Sequence, residues 1–427
     1  MAMIMAMDMA MRRATQPDTK GVSPRAGPVQ AYSWLKILAI IMLCVVGIGL
    51  SFSIGIAAVV RDRNPALALR LWPWDARARV VQADNLLLNN PGQREFATAK
   101  GMAQQSLARD PTSAPALRVL GFVQENSGNV AGARAMIRAS ERLSRRDLAG
   151  QLWLINDAVA RDQAEEALGH FDTALRTSEL AAPMLLPVLA NATEDPRLIA
   201  PLAATLAKRP PWGPSFIAEA IHRGPAPQNL ILLDKALRIR GVPMSQPLVQ
   251  QLVTQLVART RFADALTIYG RATEQRNGEL LIRDQGFERE PRFAPFDWMI
   301  GSNDKVSVSR SNEGSESRGY RLTFDAPSES YGDVARQMLV LPPGKYRASF
   351  DAGVKGADVR LSVSCANYSR TSLVQSAPTS EALSVTFAVP AKDCDAQWIA
   401  VTLPPVKNLD GATGWIDNVT IEPEVAQ

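Results

Sequence analysis

Residues Ile37 to Val60 carry no charged side chain. As an α-helix rising about 1.5 Å per residue, such a run covers a hydrocarbon core roughly 30 Å thick, with some tilt. A transmembrane helix is therefore expected over residues 35–60. Tyr32 and Trp34 stand at its N-terminal edge, where amphipathic rings favour the headgroup level, and Lys36 and Arg61 close the two ends. A secretory signal peptide has an apolar core of about 7 to 15 residues followed by a small-residue cleavage site, and this run is too long for one. Gly47, Ser51 and Gly55 recur every four residues on one helix face, a spacing that lets another helix approach closely. The preceding tail, residues 1–34, alternates Met up to Met11 and then turns to Pro, Thr, Ser and Gly. It has no core-forming pattern and is expected to be disordered.

Charge does not fix the direction of the span. Arg12, Arg13, Lys20, Arg25 and Lys36 precede it, and Arg61, Arg63, Arg70, Arg77 and Arg79 follow. Long domains translocate largely regardless of charge, so the expected arrangement puts the N-terminus in the cytoplasm and the bulk of the chain outside it, on an inner (cytoplasmic) membrane. The remainder is ordinary globular material, with 46% hydrophobic and 21% charged residues in 427. A net charge of +5 is spread among Asp and Glu along the helices, whereas nucleic-acid binding needs it gathered on one face; no nucleic-acid partner is expected.

From Asn64 to about residue 275 Ala and Leu recur at helical spacing, and an offset of 34 residues brings positions into line. Leu86, Leu120 and Leu154 align, as do Ala99, Ala133 and Ala167; Ala103, Ile137 and Phe171; and Ser106, Ser140 and Ala174. Small side chains let paired helices cross closely, while the large residue four positions later fills the adjoining gap. This register resembles the tetratricopeptide-repeat family of helix-turn-helix units. Gly121 and Pro111 stand where that family has a contact glycine and a terminating proline, whereas Gln124 replaces its tyrosine. A fourth unit is indicated by Ala265, Tyr269 and Ala272, and Pro210, Pro211, Pro214, Pro225 and Pro227 interrupt the register between. The resemblance implies an all-α solenoid over residues 64–275 whose concave face binds a protein partner. The two histidines, His170 and His222, have no neighbouring His or Cys at ligand spacing, which argues against a His-based metal site or triad.

Near Asn277 the period changes from helical to two. Tyr320–Phe324, Gln337–Leu341, Lys345–Asp351, Val359–Cys365, Leu383–Val389, Trp398–Leu403 and Trp415–Ile421 read as strands, so residues 276–427 are expected to form an all-β jelly-roll sandwich. Gln285-Gly286-Phe287-Glu288 with Phe296-Asp297-Trp298, the Leu341-Pro342-Pro343-Gly344 turn, and Trp415-Ile416-Asp417-Asn418-Val419 resemble the galactose-binding-like carbohydrate-binding modules. The resemblance implies a glycan ligand and a structural calcium ion on Glu288 and Asp417, with no other cofactor. Aromatic faces that could stack on a sugar are Trp298, Tyr331, Tyr368 and Trp398. Cys365 and Cys394 form an even pair in this region, compatible with a disulfide in an oxidising compartment or with two buried thiols; Cys44 lies in the apolar run.

No catalytic constellation emerges. The sequence reading is a multidomain, non-enzymatic membrane scaffold of the cell envelope, with a protein on its solenoid and a polysaccharide on its sandwich during surface-polysaccharide assembly or export. The alternatives are a protein-assembly adaptor with a purely structural sandwich and a carbohydrate-active enzyme.

Overall fold

A computed structural model describes residues 29–88, 91–273, 281–301, 306–312, 319–366 and 371–424. Most of the N-terminal tail, Tyr368, and the segment joining the helical and β regions lie outside the described residues.

Helix α1 (Val29–Val60) contains the apolar run and is long and apolar enough to cross a membrane. It begins ahead of the expected boundary. The Ser51 hydroxyl donates to the Gly47 carbonyl within the same helix, 2.8 Å away. The chain then turns into α2 (Pro65–Leu71) and α3 (Ala76–Leu88). Asn64 starts α2 by accepting the Leu67 N–H at 3.0 Å, with Pro65 at the first turn, where its missing N–H costs nothing. Asp75 starts α3 by accepting from Arg77 and Ala78. Ala57, Ala68 and Ala78, one from each helix, are fully buried against one another, ringed by Val60, Leu69, Leu71 and Trp72. Helices α4 (Gln93–Leu107) and α5 (Ala114–Asn126) continue the array. Val80, Ala83, Ala99, Ala103, Ala116 and Val119 form its core. Leu86 and Leu120 are partly buried beside it, and Gly121 is buried. Arg118, almost enclosed, grips both carboxylate oxygens of Asp84, the equivalent position one repeat earlier.

Helix α6 (Val130–Leu143) carries Ala133 and Ile137, both fully buried. In α7 (Leu148–Ala160) and α8 (Ala164–Thr177), Leu154, Ala167, Phe171 and Ala174 are buried, so the 34-residue register coincides with inward-facing positions. His170 is packed among polar partners: Gln151 lies 2.9 Å and Glu141 3.2 Å from its Nδ1. That contact holds the Glu141 carboxyl below its usual range. His222 is exposed on a later helix. Beyond α8 come α9 (Ala181–Ala192), α10 (Ile199–Leu206), α11 (Gly213–Arg223) and α12 (Pro227–Ile239), where α9 packs on α11 and α10 on α12. Prolines at the first turns of α11 and α12, and Pro187 inside α9, start and bend helices at unequal intervals and so break the register. Helices α13 (Gln246–Ala258) and α14 (Phe262–Thr273) restore a regular pair.

The C-terminal region is two antiparallel five-stranded sheets. One orders its strands β1 (Met299–Ile300), β4 (Gly332–Leu339), β9 (Gln397–Leu403), β6 (Arg360–Cys365) and β7 (Ser372–Gln375). The other runs β2 (Ser307–Ser311), β3 (Arg321–Ala326), β10 (Ala412–Pro423), β5 (Gly344–Lys355) and β8 (Leu383–Val389). Burial alternates along β5, β6 and β9, and the inward side chains, among them Phe287, Leu322, Phe350, Leu361, Ile399 and Ile416, meet between the sheets. Cys365 at the end of β6 is bridged to Cys394 ahead of β9.

Candidate functional site

The helical and β regions share a hydrophobic core. Phe293 and Phe296, from the segment preceding β1, are buried in the same cluster as Leu252, Ile268 and Tyr269 of α13 and α14. The Tyr269 ring centroid lies 6.1 Å from that of Phe293 and 5.5 Å from that of Phe296. The Tyr269 hydroxyl donates to Asp297 Oδ1 at 2.7 Å, while Asp297 Oδ2 accepts the N–H groups of Arg292 and Phe293. Burial and the Asp297 charge raise the Tyr269 hydroxyl well above its ordinary pKa. Gln250 of α13 donates to the Ala294 carbonyl at 2.8 Å.

One of the four expected sugar-stacking rings is enclosed. Trp298 is 3% exposed; its ring packs on Phe287 and its Nε1 donates to the Asp284 carbonyl at 2.8 Å. The turn ahead of β1 places Phe296 in the helical core and Trp298 in the sandwich core. Trp398 is partly buried against the shared cluster, with the Arg336 guanidinium 5.1 Å from its ring centroid. Trp298 is thereby corrected to a packing residue. Tyr331 is 60% exposed, in the turn before β4. Tyr368 lies outside the described residues.

The sequence reading passed over the ring best placed to meet a sugar, Trp415. On the outer face of the second sheet it stands between Thr323 on β3 and Gly353 on β5 in the strand register. Gly353 is required here, because a β-carbon would fall 2.7 Å from Trp415 Cε2. Arg321 lies over the indole at 5.2 Å. Around them is a hollow of about 550 Å³ whose walls include Lys355, Ser380, Glu381 and Thr413. The signal in the sequence was the cross-strand pairing of a Trp with a Gly, which appears only once the register is known. An aromatic ring beside hydroxyl, carboxylate and cationic groups is the equipment for gripping a polyhydroxylated ring.

Glu288 and Asp417 do converge. Glu288 Oε1 lies 3.4 Å and Asp417 Oδ1 3.5 Å from the position of a β-carbon on Gly286. Asp351 is directly opposite Asp417 in the strand register and accepts from Asn418. Burial, then the charges of Asp351 and Glu288, raise the Asp417 carboxyl above its usual range. Glu288 Oε1 also takes the Tyr320 N–H at 3.0 Å. Calcium wants six to eight oxygens. Two side-chain oxygens face this space, and among the described residues no three His, Cys, Asp or Glu side chains gather as a metal set, so main-chain carbonyls and water would have to supply most of the shell.

No protein-family model matches the chain, and no curated protein matches it. Solved structures resemble its parts. TmCBM61 in complex with β-1,4-galactotriose is 18% identical over 34% of this chain and 100% of that one, with a TM-score of 0.25. The enzymatically active domain of bacteriophage CBA120 tailspike protein 4 is 12% identical over 34% of this chain, with a TM-score of 0.26, and only 21% of the tailspike domain is covered. YrrB, a TPR protein with an unusual peptide-binding site, is 15% identical over 51% of this chain and 95% of that one, with a TM-score of 0.25. Each of these structures matches a third to a half of this chain.

Proposed function

We propose that this chain is a non-enzymatic, membrane-anchored envelope scaffold. In this reading α1 holds it in an inner membrane with the N-terminus cytoplasmic, the solenoid holds a protein partner, and the sandwich contacts a glycan during assembly or export of a surface polysaccharide. The observation that carries the glycan contact is the Trp415 ring seated opposite Gly353 among Arg321, Lys355, Glu381 and Thr413.

The test uses the full chain in detergent micelles, because Phe293 and Phe296 would be bared in an isolated sandwich. Titration with the host's own envelope polysaccharides should show binding that Trp415→Ala weakens about tenfold or more, or at least 1.4 kcal/mol, while Trp298→Ala acts on stability. A Trp415→Ala protein that binds as the wild type does would remove the sheet face from the reading. The adaptor alternative draws on the sandwich's shared core with α13 and α14; an absence of polysaccharide binding at millimolar sugar would favour it. Calcium on Glu288 and Asp417 belongs to the same proposal as a structural ion, and a melting temperature indifferent to calcium and chelator would count against it.

A further inference from the structure

A second cavity, of about 470 Å³, opens where α14 meets the start of the sandwich, between Tyr269 and Thr273 on one side and Arg283, Arg289, Arg292, Phe293 and Trp298 on the other. It is a built site. Gln337, fully buried, holds the Arg283 main chain from both sides, its Oε1 accepting the N–H and its Nε2 donating to the carbonyl, each at 2.9 Å. The Arg283 guanidinium is stacked 4.8 Å from the Tyr269 ring centroid and 5.3 Å from that of Phe296.

The lining also holds three carboxylates, so the sign of its unspent charge has to be worked out residue by residue. Asp297 is saturated by the Tyr269 hydroxyl and two N–H groups. Asp284 accepts the N–H groups of Glu288 and Arg289. Glu290 is paired with Arg310 at 2.6 Å. The cations are not matched in this way. Among the described residues no acceptor takes a hydrogen bond from the side chains of Arg289 or Arg292, both exposed at the rim, and Arg283 Nη1 is enclosed with no hydrogen-bond partner. Burial lowers the Arg283 pKa, the mark of a cation short of compensation.

We propose that this cavity binds the carboxylate of an acidic sugar residue, with the rim guanidiniums of Arg289 and Arg292 as the gripping donors and Arg283 as a fixed charge at its base. Planar guanidinium forks match carboxylate oxygens two at a time. The choice of a sugar over another carboxylate rests on the glycan reading above.

The experiment titrates the full chain in detergent with a trisaccharide of galacturonic acid and with its neutral galactose counterpart, at low and high salt. The acidic sugar is expected to bind about tenfold tighter, and the preference should vanish in Arg289→Gln/Arg292→Gln, whose melting temperature stays that of the wild type. Equal affinity for the two sugars, or a preference that survives in the double variant, overturns the inference. If the neutral sugar binds through Trp415 without any acidic preference, this inference alone fails. Binding of the acidic sugar only, insensitive to Trp415→Ala, keeps the inference and sinks the sheet-face reading. Binding of neither sugar at millimolar concentration rejects this inference and leaves the sheet-face reading to its own test with envelope polysaccharides.

Discussion

The helical array is closed at its two ends by opposite chemistries. Beside α1, three alanines, Ala57, Ala68 and Ala78, let helices cross at close range. Beside the sandwich, Tyr269, Phe293 and Phe296 fill the space with rings and Arg283 stacks on two of them. An alanine crossing buries little area, and its close fit leaves no room for growth. A ring cluster buries 150 to 250 Å² per side chain, as a rough guide, and depends on every ring being present. The first junction should therefore be sensitive to enlargement, and the second to truncation.

Phe296→Ala should have the largest effect, about 3–5 kcal/mol of lost stability in chemical denaturation, and should separate the unfolding of the sandwich from that of α13 and α14. A single transition with an unchanged midpoint would mean the rings do not join the two regions. Ala68→Leu tests the other end: overpacking should cost about 1–3 kcal/mol, while Ala68→Gly should leave the junction closed. Equal tolerance of leucine at residue 68 and of alanine at residue 296 would erase the contrast.

Tyr269→Phe should cost roughly 1 kcal/mol at neutral pH by removing the bond to Asp297. It should also change the alkaline limb. The hydroxyl's pKa is raised in the folded chain, so its contribution is complete below the unfolded value of about 10 and is lost as pH climbs above that. The Phe variant should lack this part of the alkaline destabilisation. The smallest effect belongs to Asp417→Asn. The folded pKa of Asp417 is raised, so its ionisation disfavours the fold as pH rises from about 4. With solvent screening, removing the charge should stabilise by roughly 0.2–0.5 kcal/mol at pH 7. In the presence of bound calcium the sign should reverse, which makes this variant a reporter for the ion.

The pattern at Ala99, Ala133 and Ala167 could be read without a structure because repeat packing is local: each position answers to a neighbour one unit away. The same holds for strands such as β5, β6 and β9, whose side chains alternate between core and surface. What escaped is non-local. Strands β1, β2 and β7 are short and only partly buried, so they carry little alternation. Trp298 is enclosed by Phe287 within the sandwich, a contact between distant positions that the sequence does not display. Trp415 became a candidate only when β10 was paired with β5, and the Arg283 cavity needed α14 and the first β segment side by side. Glu288 and Asp417, far apart in sequence, approach one point beside Gly286.

A stack of repeats has no natural stopping point, since its last unit offers the same apolar face that every earlier unit hides on its successor. Here the sandwich serves as the stopper. Phe293, Phe296 and Met338 occupy the place a further helix pair would take against α13 and α14. A chain shortened after residue 273 should thus be insoluble through an unfinished end, and a foreign sandwich grafted there would need these three side chains to be accepted. Separable as the two regions look in sequence, they would have to be inherited as one piece.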